Sequence, residues 1–145
     1  MTDRSHVEKL LRDAYAARQR GDVDALCAYF ADNPSFALAG AREASPIALQ
    51  CTDGATFRTV MSGLIKTFEW LDQQILSMII DGSKAAVHWR GRIRSALNGE
   101  EVVTEFVDVI TVEGGKIQSL IEFMDTALAA KLMTTDVTWG ESALA

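Results

Sequence analysis

The chain has 145 residues, of which 48% are hydrophobic and 23% are charged, and its formal net charge is -6. This length suits one domain with a sizeable core, and an acidic balance without clusters of Lys and Arg argues against a nucleic-acid-binding or anionic-membrane surface. No apolar run is long enough to cross a membrane, and Met1–His6 lacks the basic start of a signal peptide. We therefore expect a cytoplasmic protein whose ligand is a small molecule.

The cysteines and histidines indicate neither a disulfide nor a metal site. Cys27 and Cys51 lack C-x-x-C spacing, and neither His6 nor His88 has other ligand-type residues at metal-binding spacing. We predict two reduced thiols and no metal, and the sequence implies no cofactor.

The first part of the chain is helical. Apolar residues three and four positions apart predict a first helix over 4–20, which Gly21 ends. Asp22 can accept hydrogen bonds from the free N-H groups of a second helix over 23–31.

A short apolar run over 35–39 predicts the first strand. The mixed polarity of 40–53 predicts a loop over one end of the core. Apolar residues then repeat at helical spacing over four turns, which predicts a third helix over 54–70, with Thr52 or Asp53 as its cap.

The rest of the chain consists of β-prone runs separated by Asp81-Gly82, Asn98-Gly99 and Gly114-Gly115. These pairs tolerate positive φ, which tight hairpins need, so the runs should form an antiparallel meander. The predicted strands cover 72–81, 84–97, 100–113 and 116–125. A short helix over 126–133 follows, with Asp125 as its N-cap.

Alternation along these strands leaves two largely apolar faces. Val107 and Val109 fall on the face opposite Phe106 and Asp108. A sheet with water on one side would show cleaner alternation, so a second copy of the chain is expected to cover the outer face and form a homodimer.

Helices followed by a long antiparallel sheet predict an α+β fold in one domain over 1–145. The sheet should be a cone-shaped, curved antiparallel sheet wrapped around three N-terminal helices. A cone of this kind has a mouth, where we expect a single pocket.

Three segments carry a family resemblance: Ala17 to Asn33, Phe106 to Ile117, and Glu122 to Asp125. Together they resemble the SnoaL-like and ketosteroid-isomerase-like branch of the nuclear-transport-factor-2-like superfamily, in order over nearly the whole chain. The resemblance implies the cone fold. It leaves the reaction open, because this fold hosts isomerases, dehydratases, epoxide hydrolases, cyclases and non-catalytic binding domains.

Ketosteroid isomerases use a carboxylate base, a tyrosine and a protonated aspartic acid that donates a hydrogen bond to the developing oxyanion. By this resemblance the tyrosine position falls on Ala14 and the base position on Leu38, so only the aspartic acid is kept, as Asp108. Tyr15 lies one position away on a different helical face, and we interpret it as a core residue.

The chain also resembles limonene epoxide hydrolases, with Arg90 at the arginine position and Glu122 at the last carboxylate. Arg92 replaces that group's second aspartate, so the relay that orients the water is incomplete. The candidate catalytic residues are therefore Asp108, His88, Arg90 and Glu122, which we expect on one concave face.

Each candidate also has a structural alternative. Asp108 could form a buried ion pair with Arg90 or Arg92, and His88 could be a core or interface residue. A carboxyl in an apolar strand would have its pKa raised by desolvation, whereas a nearby arginine would lower it. The expected apolar lining for substrate binding consists of Phe36, Trp70, Phe106, Leu120 and Met124.

These observations lead to two hypotheses. The first is an acid/base lyase, isomerase or cyclase for a small, largely apolar carbonyl or hydroxyl compound, distinct from a standard ketosteroid isomerase or limonene epoxide hydrolase. The second is a non-catalytic ligand-binding or dimerisation module. An open cavity faced by Asp108 without an arginine partner favours the first.

Overall fold

A computed structural model of the chain describes residues 3–41, 43, 45 and 47–134. The end of the predicted domain, 135–145, and part of the predicted loop over 40–53 lie outside the described residues. In chain order the elements are α1 (Arg4–Arg20), α2 (Val23–Ala28), β1 (Phe30–Leu38), β2 (Leu49–Cys51), α3 (Gly54–Thr67), β3 (Phe68–Asp81), β4 (Lys84–Ser95), β5 (Glu101–Glu113), β6 (Lys116–Phe123) and α4 (Thr126–Met133).

The helix ends follow from their capping residues. Gly21 ends α1 in the left-handed conformation, with φ 73°, which a residue without Cβ adopts at low cost. The side chains of Asp22, Asp53 and Asp125 accept backbone N-H groups at the starts of α2, α3 and α4. All three aspartates are among the predicted caps, and Asp53 rather than Thr52 caps α3.

The strands form one six-stranded, unclosed sheet in the order β2-β1-β6-β5-β4-β3. The predicted antiparallel meander of β3 to β6 is confirmed. The sheet is nevertheless mixed, since β1 pairs parallel with β6, and the prediction of a purely antiparallel sheet is wrong. The long chain between β1 and β6 makes parallel pairing accessible.

Several element boundaries differ from the predictions, and one strand was not predicted. β1 begins at Phe30, where the second helix was expected to continue, and it passes Asp32-Asn33-Pro34 through a register irregularity before Ser35. α3 ends at Thr67, and β3 begins at once with Phe68. Within the predicted loop, β2 pairs antiparallel with the end of β1, because edge pairing satisfies its backbone groups without needing a strong local pattern.

The core lies between the helices and the inner face of the curved sheet. Along β4 the buried residues alternate strictly with more exposed ones, as expected for a sheet covered on one side. The largest fully buried apolar side chains are those of Trp89, Phe57, Leu11, Ile110 and Ile117. No helix of the described residues has the length and apolar character needed to cross a bilayer.

Candidate functional site

A largely apolar cavity of about 110 Å³ lies inside the curve of the sheet. Helix α1 contributes Leu11, Ala14, Tyr15 and Arg18, which are spaced so that they share one face of the helix. The polar side chains in the wall include those of Tyr15, Arg18, Asp108 and Glu122. An apolar enclosure with a few converging polar groups is typical of a small-molecule site.

Asp108 is the most deeply buried carboxyl of this wall, at 1% exposure. Its Oδ2 accepts hydrogen bonds from the hydroxyl of Tyr15 and from the indole Nε1 of Trp89, the latter at 2.9 Å. Among the described residues, Oδ1 accepts from no N-H or neutral hydroxyl group. Both donors are neutral, and no arginine of the described residues forms an ion pair with Asp108.

Glu122 lies directly opposite Asp108, on the neighbouring strand β6. The two carboxyl groups lie close enough to affect each other's pKa, and a hydrogen bond between them requires that one of them carries a proton. Burial raises the pKa of Asp108, while hydrogen bonds from Glu122, Tyr15 and Trp89 oppose the rise. Burial, and then the charge of Asp108, raise the pKa of Glu122 well above its ordinary value.

The contacts of Tyr15 and Trp89 assign the proton of this pair. Two donors point at Asp108, which stabilises its ionised form, whereas the charge of Asp108 disfavours ionisation of Glu122. When the pair holds one proton, these contacts therefore place it on Glu122 and leave Asp108 as the carboxylate. Such a pair can give one proton and take another.

An aromatic cluster fixes the two donors. The ring of Trp89 stacks on Phe106 with centroids 4.0 Å apart, and lies 4.4 Å from Trp70 and 5.8 Å from Tyr15. Gly91, on the same face of β4, leaves room for this ring, since a Cβ there would lie 2.7 Å from Cζ3 of Trp89. Packing thus aims the indole N-H at Asp108 before any ligand enters.

Arg18 is a buried cation in the same wall, at 8% exposure. Its Nη2 donates to the carbonyl oxygens of Leu64 at 3.3 Å and Phe68 at 2.8 Å, and its guanidinium lies 4.5 Å from the ring centroid of Trp70. Burial lowers the pKa of Arg18 to about 10, while the charge of Glu122 opposes the shift. Arg18 therefore stays charged at neutral pH.

The structure brings together most of the predicted site residues. Both predicted acids line the cavity, together with the whole predicted apolar lining: Phe36, Trp70, Phe106, Leu120 and Met124. Their role in binding or catalysis stays a prediction. A second, more open depression lies beside α2, β1 and α3, so the prediction of a single pocket is not confirmed.

The expected position of His88 and Arg90 on the concave face is wrong. Their side chains lie on the outer face, where both approach Glu105. The reason is register: Val87 pairs with Asp108, whereas His88 pairs with Val107. Opposed residues share a face, and a one-residue difference in register sends every side chain to the other side.

Tyr15, Arg18 and Trp89 are the polar residues of the site that the sequence reasoning missed. The spacing of Leu11, Ala14, Tyr15 and Arg18 was the available signal for the two helix residues. Tyr15 is a core residue, as expected, and its hydroxyl also donates a hydrogen bond to Asp108. Ala14 and Leu38, the positions of the absent isomerase residues, also line the cavity.

Solved structures with the same fold place the chain in a broad class. An NTF2-like protein from Burkholderia xenovorans aligns with a TM-score of 0.73 at 20% identity, over 92% of this chain and 99% of that one. A provisionally assigned isomerase from Bacillus subtilis aligns with a TM-score of 0.80 at 13% identity, over 94% and 98%. An LEH-like epoxide hydrolase from M. tuberculosis aligns with a TM-score of 0.71 at 15% identity, over 89% and 90%.

At these identities the likeness shows the fold, which is nuclear-transport-factor-2-like. The chain belongs to the SnoaL-like domain family, whose model matches residues 11–120. The family prediction is thereby confirmed. A comparison with curated proteins finds no match.

Proposed function

We propose that the protein is a cofactor-independent acid/base enzyme, an isomerase, lyase or cyclase, acting on a small, largely apolar carbonyl or hydroxyl compound. The observation that carries the proposal is the Asp108–Glu122 carboxyl pair in the wall of an apolar cavity. Neutral donors, not arginines, hold Asp108. Strongly shifted carboxyl pKa values in a cavity are typical of acid/base sites.

Asp108 and Glu122 have complementary roles in this proposal. Asp108, as the carboxylate, takes a proton from a carbon or hydroxyl of the substrate. Glu122, as the protonated acid, donates to the oxygen or leaving group. The positions of Ala14 and Leu38 supply no base, so the chemistry differs from that of a ketosteroid isomerase.

The lining and size of the cavity support the substrate class. Apolar side chains form most of the wall, and a cavity of about 110 Å³ compares with the roughly 150 Å³ apolar cavity that holds benzene. The substrate is thus expected to be about one ring in size, with a single polar group near the carboxyl pair.

Hydrogen exchange tests the proposal with compounds that share only the proposed reactive group. A panel of small enolisable ketones and aldehydes is incubated in deuterated water with the protein, and carbon-bound deuterium is measured by mass spectrometry. We expect the wild-type protein to accelerate exchange, and Asp108→Asn to reduce the acceleration about a hundredfold or more. Asp72→Asn, on the exposed part of β3, is the matched control.

The competing function is a non-catalytic ligand-binding or dimerisation module, favoured by the apolar Ala14 and Leu38 in the cavity wall. Binding of the same compounds is measured for each variant by calorimetry. Unchanged exchange and unchanged binding in Asp108→Asn would exclude the catalytic proposal. Binding without any acceleration by the wild-type protein would favour the module.

We also propose a homodimer formed through the outer face of the sheet. On this face Val109 of β5 is opposed to Ile121 of β6, and Val107 is opposed to Phe123. The exposed fractions of Val103 and Phe123 are 62% and 49%. An exposed apolar sheet face of this kind is typical of an interface between copies.

Val107→Lys tests the homodimer, because Val107 lies in the middle of this face. Light scattering is expected to show a dimer for the wild type and a monomer for Val107→Lys. Leu97→Lys, an exposed apolar position beyond the end of β4, is the control and should remain dimeric. A wild-type monomer, or a dimer that Val107→Lys leaves intact, would refute the proposed interface.

A further inference from the structure

Arg18 has donor capacity that the fold does not use. The only hydrogen bonds from its guanidinium within the described residues come from Nη2. Nη1 and Nε have no acceptor there, and neither is among the fully buried polar atoms without a partner. These two donors therefore keep accessible surface, and Arg18 lines the cavity.

The two hydrogen bonds from Nη2 of Arg18 are part of the fold, whereas Nη1 and Nε make no comparable bonds among the described residues. The bonds from Nη2 reach carbonyl oxygens at the junction of α3 and β3, where Leu64 O also accepts the backbone N-H of Phe68. The face of the guanidinium lies over Trp70. These contacts fix the plane of Arg18 and leave Nη1 and Nε without an acceptor among the described residues.

Glu122 is the acidic residue whose ionisation affects the pKa of Arg18. Glu122 and Arg18 influence each other through their charges, yet they form no salt bridge in the part of the chain that the structure describes. The guanidinium and the carboxyl pair therefore line the same cavity without forming an ion pair among the described residues. A buried cation with unused donors favours an oxygen acceptor in that cavity.

We propose that Arg18 binds the carbonyl oxygen of an uncharged substrate and stabilises the oxyanion that forms there. This inference rests on the proposed acid/base function. Before reaction the inner wall of the cavity holds the carboxylate of Asp108 and the cation Arg18, with Glu122 protonated, while Asp125, which also lines the cavity, is exposed and caps α4. A neutral ketone or aldehyde keeps that balance, whereas a carboxylate ligand would add an unmatched negative charge.

The balanced step moves one negative charge toward Arg18. Asp108 takes the proton of the carbon next to the carbonyl, and the C-H electron pair becomes the new C=C bond. The π pair of the C=O bond moves to oxygen, where the N-H groups of Arg18 stabilise the charge as hydrogen-bond donors. Return of the proton from Asp108 re-forms the C=O bond and regenerates the carboxylate. Where the enolate is conjugated with a further C=C bond, the proton can return to the far carbon of that bond and yield an isomer.

A chromogenic phenol tests the assignment by binding alone. The oxygen of 4-nitrophenol mimics an enolate when it is ionised, and its absorbance reports ionisation. Nitrobenzene, of similar shape, lacks that oxygen. We expect the wild-type protein to bind 4-nitrophenol and to favour its ionised form in the bound state relative to water.

Arg18→Met should weaken binding of 4-nitrophenol about tenfold to a hundredfold and leave that of nitrobenzene nearly unchanged. Arg18→Lys keeps the positive charge and replaces Arg18→Met in the test if Arg18→Met fails to fold. It should retain part of the affinity for 4-nitrophenol. Arg20→Met, an exposed position on the same helix, is the control. In protein that carries Glu122→Gln, Arg18→Met should still weaken the binding of 4-nitrophenol.

Three results would overturn the inference. The first is an equal loss of both probes in the Arg18 variants, which would make Arg18 purely structural. The second is that bound 4-nitrophenol stays neutral, which would mean that its O-H donates to Asp108 and that its oxygen is not held as an anion by Arg18. The third is no binding of 4-nitrophenol by the wild-type protein. Binding that depends on Arg18, without any hydrogen exchange activity, would refute the proposed function and keep Arg18 as an oxyanion-binding residue.

Discussion

Tyr15→Phe is the most informative single change, because it removes one hydroxyl and leaves the ring. The lost hydrogen bond is donated to Asp108, whose ionised form it stabilises. A hydrogen bond to a charged group contributes about 1.5–3 kcal/mol, and one pKa unit corresponds to about 1.4 kcal/mol. We therefore expect the pKa of Asp108 to rise by about one to two units.

The same change affects stability in a pH-dependent way. The bond of Tyr15 favours the Asp108 carboxylate, so its contribution is present where Asp108 is ionised and is lost as the pH falls through the pKa of Asp108. The free energy of unfolding should thus decrease by about 1–3 kcal/mol at neutral pH and by less near pH 4. Urea denaturation at both pH values measures the difference.

Tyr29→Phe is the matched control, since the chain has two tyrosines. The hydroxyl of Tyr29 makes no hydrogen bond within the described ranges, so its loss should change stability little and equally at both pH values. A Tyr15→Phe effect that is the same at both pH values would refute the assignment of Asp108 as the ionised acceptor.

Three further changes probe other parts of the cavity and the sheet. Glu122→Gln should stabilise the protein at alkaline pH and make its stability depend less on pH, as measured by thermal unfolding. The reason is that the pKa of Glu122 is raised in the folded state, so wild-type stability falls as the pH rises from about 4.5 through the folded-state pKa. Gly91→Ala should cost about 1–3 kcal/mol in urea denaturation, because its Cβ would displace the ring of Trp89, and a neutral result would show that the ring is not held as described. Arg90→Ala should leave hydrogen exchange activity unchanged, since Arg90 lies on the outer face, and a large loss would contradict that placement.

The fold was largely accessible from the sequence because its signals are local. Helical periodicity and capping residues such as Asp53 set the helices, and positive-φ glycines such as Gly82 set the hairpins. β2 was missed because three residues at an edge carry no period of their own. The parallel pairing of β1 with β6 depends on distant segments, which no local pattern reports.

The site was accessible only in part. The faces within each strand followed from alternation, so Asp108 and the apolar lining were found. Alternation within each strand does not give the register between β4 and β5, and His88 and Arg90 were therefore predicted on the wrong face. Tyr15 was dismissed because the family resemblance pointed one position earlier, at Ala14, and the angle at which α1 lies on the sheet is a matter of tertiary packing.

The proposed chemistry depends on a carboxyl pair that carries one proton at neutral pH. Carbon-13 NMR of protein labelled at the aspartate and glutamate carboxyl groups measures this directly, with Asp108→Asn and Glu122→Gln to assign the two signals. We expect a protonated Glu122 and an ionised Asp108 at neutral pH. Two ionised carboxyl groups, or a signal of Glu122 that titrates near its ordinary pKa, would contradict the assignment.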